Sequence, residues 1–343
     1  MRDVLVPHAI DLALPAPGSR LREAGGLTMG TSWSARMALP PAVTADLDAL
    51  LQRELDAIVA QMSHWDEDSL LSRYNRADAG SWHALPSGFF EVIDFGLRVH
   101  EDTAGAYDPA AGALVSLWGF GPTRRHSHAG FAPPSASAVA DALARRAEAT
   151  PRLDRAGRRL LQPGSAQLDF SAIAKGYAVD RLGACLEQAG VRHYLVEVGG
   201  ELRGAGVKPG GEPWWVEIEG LPDAGPDAGA DAGAAPGQVV AALHGLAVAT
   251  SGDYRNYFHQ GARRVSHTLD PRSGHPIANR VASCTVVAST CMAADALSTA
   301  LTVMGAEDGI AFADTRGIAA RYLVRRDGGL VQHTSAAWRD LLQ

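Results

Sequence analysis

The chain has 343 residues, 46% of them hydrophobic, enough apolar material for one large domain or two ordinary ones. Its 31 Lys and Arg against 38 Asp and Glu leave a formal charge of −7, with no basic run, which excludes the basic surface of a nucleic-acid binder. A polyanionic ligand therefore needs a local device, such as a metal ion or converging backbone amides. The three cysteines, Cys185, Cys284 and Cys291, fit no zinc spacing and read as buried reduced thiols. No stretch approaches the ~18 consecutive apolar residues of a membrane span, and no leader or early lipoprotein cysteine is seen, so a soluble, cytoplasmic protein is expected.

Along the chain, residues 1–25 are weakly patterned and read as an N-terminal tail ahead of one domain over 26–343. Residues 27–38 alternate as a strand. Over 41–61, Val43, Leu47, Leu50, Leu51, Leu55, Ile58 and Val59 recur at helical spacing. Further helices are expected over 87–103, 136–148 and 173–188, the last stopped by Gly190. Strands follow at 193–198, 214–218, 239–249, 281–288 and near 319–324, and a last helix runs from about Ala293 to just before Gly305. Residues 221–237 repeat Asp-Ala-Gly, have no bulky apolar residue after Leu221, and read as a flexible acidic loop between two strands. Strands and helices mix without a βαβ rhythm, which argues for an α+β fold.

Four constellations carry chemistry. Asp295 and Thr299 stand at i and i+4 on the last helix, so a carboxylate and a hydroxyl emerge on one face and can share a hard cation. The same pair also suits a helix-dipole carboxylate and a backbone-bonded Thr. In Leu168–Asp180 a strand end carries Asp169, Ser171 can cap the following helix, and Lys175 sits in its first turn, against the dipole. A cation there suits an anion, or leans out as an ordinary surface Lys. Thr250–Arg255 precedes Ser266–Gly274, where Asp270-Pro271-Arg272-Ser273-Gly274 spells a turn. His267 there reads as a base or donor, or as a solvated turn His. Tyr107, Trp118 and Phe120 suit an aromatic wall or a core.

The order of these segments is more specific than any one of them. Met29-Gly30-Thr31, residues 62–75, Ala106-Tyr107-Asp108-Pro109, 168–180, 196–201 (VEVGGE), 250–255, 267–274 and 290–299 together resemble the ApbE family of FAD:protein FMN transferases over about residues 27–310. The resemblance implies a mixed-sheet flavin-transferase fold, two sheet-and-helix lobes around an FAD cleft. It implies FAD as substrate and Mg²⁺ as the catalytic ion, held by Asp295, Thr299 and the carbonyl of Ala172. The FAD contacts it implies are Met29, Trp65, Ala106, Tyr107, Asp108, Asp169, Lys175 and Leu269. Transfer to a Thr or Ser hydroxyl of an acceptor flavoprotein, a redox-pump subunit or a soluble reductase, follows, with His267, Asp270 and Lys175 as catalytic candidates. The alternatives are a magnesium-dependent FAD pyrophosphatase, giving FMN and AMP, and a non-catalytic FAD-binding protein.

Overall fold

The computed structural model describes all residues except 1–2, 11–12, 124, 149, 219, 221–237, 255, 262 and 328, so the Asp-Ala-Gly repeat lies outside the described residues. In chain order the elements begin with β1 (Asp3–Leu5), β2 (Arg20–Thr28), β3 (Thr31–Leu39), α1 (Leu47–Met62), α2 (Leu70–Asn75), β4 (Trp82–Ala84) and α3 (Ser87–Asp102). Next come α4 (Gly112–Leu117), α5 (Ala136–Glu148), β5 (Arg152–Asp154), β6 (Arg159–Leu161), α6 (Ala174–Gln188), β7 (Tyr194–Val198), β8 (Glu201–Ala205) and β9 (Trp214–Ile218). They are followed by β10 (Val239–Leu243), β11 (Leu246–Gly252), β12 (Tyr257–Gln260), β13 (Arg263–Ser266), β14 (Leu269–Asp270), β15 (His275–Pro276) and β16 (Val281–Ala288). The chain closes with α7 (Cys291–Met304), α8 (Ala306–Arg316), β17 (Ala319–Arg326), β18 (Gly329–Thr334) and α9 (Ala336–Asp340). It divides into two compact units, Met1–Asp56 with Lys175–Tyr254 and Arg280–Gln343, and Ala57–Ala174 with Arg255–Asn279. The fold is α+β, as expected.

In the first unit an eight-stranded sheet runs in the order β18-β17-β16-β11-β8-β7-β3-β2. Every neighbouring pair in it is antiparallel. Period-2 alternation sends successive side chains to opposite faces. Val248, Val287 and Ala319 face one core with Trp214, Val216 and Val239, from a small sheet ordered β1-β10-β9, and with Trp338 of α9. Their chain neighbours Ala249, Val286 and Ala320 face the other core, under Ala294 and Leu301 of α7 and Ala313 of α8. A sheet covered on both faces explains why Val281–Val287 are all buried, with no alternation of buried and exposed positions.

Three readings from the sequence change. The expected tail contains β1, paired in parallel with β10, and most of β2. The strand expected over 27–38 is interrupted by a hairpin turn at Met29 and Gly30, φ +49° and +73°, which the non-Gly residue at the first position disguised. The strand expected over 239–249 is two strands in two sheets, because Gly245, φ +70°, turns the chain between β10 and β11.

The second unit holds a three-stranded sheet ordered β4-β6-β5 and the short hairpins β12-β13 and β14-β15. On α3 the buried residues Phe89, Val92, Ile93, Gly96 and Val99 follow one helical stripe, and the Phe89 ring meets Phe170 edge-on at 5.1 Å. Trp118 and Phe120, expected as a wall or a core, are core: they pack with Leu114, Val139, Ala142, Val265 and Leu269. Among the described residues no helix is long and apolar enough to cross a membrane. Cys185, Cys284 and Cys291 are buried and unpaired.

Candidate active site

In the first unit the chemistry gathers where α6 meets α7. The N-terminus of α7 is fully dressed: the Thr290 hydroxyl accepts from the Ala293 amide, and the Asp180 carboxylate accepts from the amides of Cys291 and Met292, both at 2.9 Å. Asp180 is fixed in turn by Arg203 at 2.6 Å. The helix therefore starts at Cys291, two residues before the sequence reading, and its position is tied to α6 through Asp180.

Asp295 faces α6. Its Oδ2 accepts from the Gly176 amide at 2.9 Å, one of the first-turn donors that a helix cannot satisfy itself. The approach leaves no room for a side chain: a Cβ on Gly176 would stand 2.3 Å from the Cys291 carbonyl oxygen and 2.7 Å from Asp295 Cβ. Gly176→Ala is expected to lose about 1–3 kcal/mol to overpacking. It should also slow transfer ~100-fold by shifting Asp295, readable in melting curves and single-turnover rates. One turn on, the Thr299 hydroxyl shares a hydrogen bond with Ser251 at 2.8 Å, and Ser251 also meets Ser298 at 2.8 Å. Three hydroxyls thus meet one turn along α7 from the Asp295 carboxylate, hard oxygen donors of the kind magnesium prefers.

Among the described residues Glu201 and Asp295 are the acidic residues that are buried, 3% and 4% exposed. Glu201 Oε1 accepts from Lys175 Nζ at 2.5 Å, so Lys175 is paired rather than leaning into solvent. Burial pushes Glu201 up to about 7, against the lowering pull of Lys175 and with the Asp295 charge adding to the rise. Burial also raises Asp295, opposed by Lys175 and by the Gly176 hydrogen bond. A carboxyl whose pKa is higher folded than unfolded withholds stability once the unfolded form ionises. The contribution is full below the ordinary range near ~4.3 and lost as pH rises through about 7. In metal-free, FAD-free protein, the melting temperature of Glu201→Gln minus that of wild type should climb between about pH 4.5 and 7, measured by scanning fluorimetry. A flat difference contradicts the burial argument.

Met29, on the β2–β3 turn, belongs to this unit. A Cβ on Gly199 would come within 2.8 Å of Thr31 Cγ2 and 3.4 Å of Lys175 Cδ, so the β2–β3 and β7–β8 turns close on the Lys175 stem.

The second unit assembles the other expected residues. Asp169 Oδ1 accepts from the Ser171 amide and hydroxyl and stands 3.6 Å from His64 Nδ1. Ser171 was expected to cap α6; its hydroxyl is used by Asp169, and the Phe170 carbonyl accepts from Ile173 and Ala174 instead. Ala172 lies in this turn. Trp65 is half exposed, with the Arg125 guanidinium 4.7 Å from its ring centre. Ala106 and Tyr107 are buried. Asp108 is held by Arg146 and by the Ala110 amide at 2.8 Å, while Arg146 donates to the Pro271 carbonyl at 2.7 Å. These bonds join the 106–109 loop to the 270–274 turn, which Trp118 also anchors through Gly274 at 2.8 Å.

His267 Nδ1 lies 2.9 Å from the Asn256 carbonyl, which can only accept. Nδ1 therefore carries the hydrogen and Nε2 is the basic nitrogen of the neutral ring. Asp270 is a weaker base. Burial would raise it, but hydrogen bonds from the Arg272 guanidinium and amide outweigh burial and hold it below the usual carboxylate range. Leu269 is buried in the Trp118 core.

The profile of the ApbE family matches residues 29–322. The chain belongs to the ApbE family. Its relatives cover it almost end to end. A Klebsiella pneumoniae (strain 342) protein named FAD:protein FMN transferase is 34% identical over 99% of this chain and 95% of its own. One of that name from Vibrio cholerae serotype O1 is 36% identical over 92% and 91%. The apo structure of the Pseudomonas stutzeri flavinyl transferase ApbE matches at a TM-score of 0.83 and 37% identity, covering 94% of this chain and 97% of that one. Two acidic residues beside Asp295 and Lys175 were not among the candidates from sequence: Asp180, which caps α7, and Glu201, which holds Lys175. For Glu201 the signal is an acidic residue directly after the Gly199-Gly200 turn; Asp180, in the middle of α6, carries no local signal.

Proposed function

We propose that this chain moves FMN from FAD to a Thr or Ser hydroxyl of an acceptor protein, releasing AMP, with magnesium held by Asp295, Thr299 and the Ala172 carbonyl. The enzyme class rests on family and relatives: the chain is an FAD:protein FMN transferase. The metal reading rests on one observation above all, a buried Asp295 carboxylate with one oxygen on Gly176 and a hydroxyl cluster one turn away. Among the described residues no three His, Cys, Asp or Glu side chains group as a metal cage. A donor set of one carboxylate, hydroxyl and carbonyl suits an ion that completes its shell with water and substrate phosphates.

When bound, magnesium draws charge off the phosphoryl oxygens and the leaving group. Lys175 adds a second positive charge. His267 Nε2 takes the proton of the acceptor hydroxyl as its oxygen bonds to the FMN-side phosphorus. The bond from that phosphorus to the bridging oxygen breaks, and AMP leaves with the electron pair. Asp270, kept ionised by Arg272, fixes the turn that follows His267. Incubation with FAD and Mg²⁺, with and without acceptor, tests the reading: AMP should appear in step with modified acceptor. Rapid AMP release without acceptor would instead identify a pyrophosphatase.

A further inference from the structure

We infer that Glu201 is a positioning residue of the transfer: through one carboxylate oxygen it fixes the Lys175 ammonium beside Asp295 and sets the charge that FAD meets. The inference builds on the transferase reading above and adds a residue to it.

Glu201 opens β8 directly after Gly199 and Gly200, whose φ values of +62° and +103° only glycine adopts freely. Backbone pairing of Val198 with Glu201 closes that turn, and Thr31 packs against Gly199, so the carboxylate stands on rigid sheet. Its Oε1 takes Lys175 Nζ at 2.5 Å, whereas its Oε2 is buried with no hydrogen-bond partner. Burying an ion pair with a bare oxygen costs folding stability, and an apolar pair would serve the fold better. The cost falls where the neighbouring residue, Gly176, holds Asp295.

Lys has a flexible four-carbon stem, so its ammonium is a movable point charge unless something pins it. Here the pin is Glu201. Glu201, Lys175 and Asp295 together sum to one negative charge; a divalent cation turns that into one positive charge. Removing the Glu201 charge adds another positive charge and frees the ammonium. FAD, a pyrophosphate, should then bind as well or better while transfer slows. Loss of a merely structural residue gives the opposite pattern, weaker binding with slower transfer.

The test is a cycle of E201Q, K175M and the double variant, each read for FAD affinity by fluorescence and for single-turnover transfer at saturating FAD with Mg²⁺. E201Q should slow transfer ~100-fold with FAD affinity unchanged or higher. In the K175M background the same change should alter rate and affinity less than about twofold, since the residue it acts through is gone. Losses that multiply in the double variant, weaker FAD binding by E201Q, or a wild-type rate in E201Q overturn the inference. E201D keeps the charge but withdraws it by one methylene, and should fall between wild type and E201Q in rate. If E201Q melts early, the cycle is run with E201D under the same criteria. A wild-type protein that moves no FMN at all to its acceptor would count against the transferase reading rather than against Glu201.

Discussion

Replacing Asp295 with Asn is expected to reduce flavin transfer by a factor on the order of 10³ while leaving the protein folded. The amide is nearly isosteric, and its oxygen can still accept from the Gly176 amide that now bonds Oδ2. The tight crossing at Gly176 is therefore undisturbed. Burial disfavours the charged form of Asp295, so a neutral side chain relieves desolvation, and the melting temperature at neutral pH should stay level or rise. What disappears is the anionic oxygen that the proposed magnesium site requires. Single-turnover transfer with saturating FAD, beside a melting curve, separates the two effects. Full activity in the variant, with EDTA harmless to wild type, would remove the metal from Asp295 and Thr299.

His267→Ala should slow transfer by about 10²–10⁴-fold while FAD affinity changes far less. The ring is held by the Asn256 carbonyl on Nδ1 and stands edge-on to Phe120 at 6.2 Å, an arrangement that presets which nitrogen is basic. His267→Gln offers an amide without a usable base, so it should share the defect. A single-turnover rate equal to wild type in His267→Ala would take the residue out of the mechanism and return attention to Asp270, which Arg272 makes a poor base.

Local patterns were legible where the physics is local. Asp295 and Thr299 read as one face because their spacing is one helical turn, and the structure puts them on α7 with Ser251 joining from β11. The 281–288 run read correctly as a strand because its residues are small or β-branched, and the structure buries Val281–Val287 on both faces. The readings that changed depend on distant partners or single dihedral angles. The Asp180 cap lies 111 positions from the Cys291 amide it serves. Met29 at positive φ hid a hairpin inside an alternating segment. Asp3–Leu5 gains its strand from β10 and from the chain's last residues, Leu342 and Gln343, all far along the chain, so no local pattern announces it. Glu201 looked like the first residue after a glycine turn. Its burial against Lys175 emerges only when β8 and α6 are packed together.

Magnesium-dependent transfer of FMN is tested most directly by mass spectrometry of candidate acceptor proteins after incubation with this chain, FAD and Mg²⁺. The expected product is an acceptor heavier by FMN less one water, joined as a phosphoester and mapped to a Thr or Ser, with AMP released in equal amount and both products lost in EDTA. FAD consumed to free FMN and AMP with every acceptor mass unchanged, or acceptor modified equally well in EDTA, would contradict it.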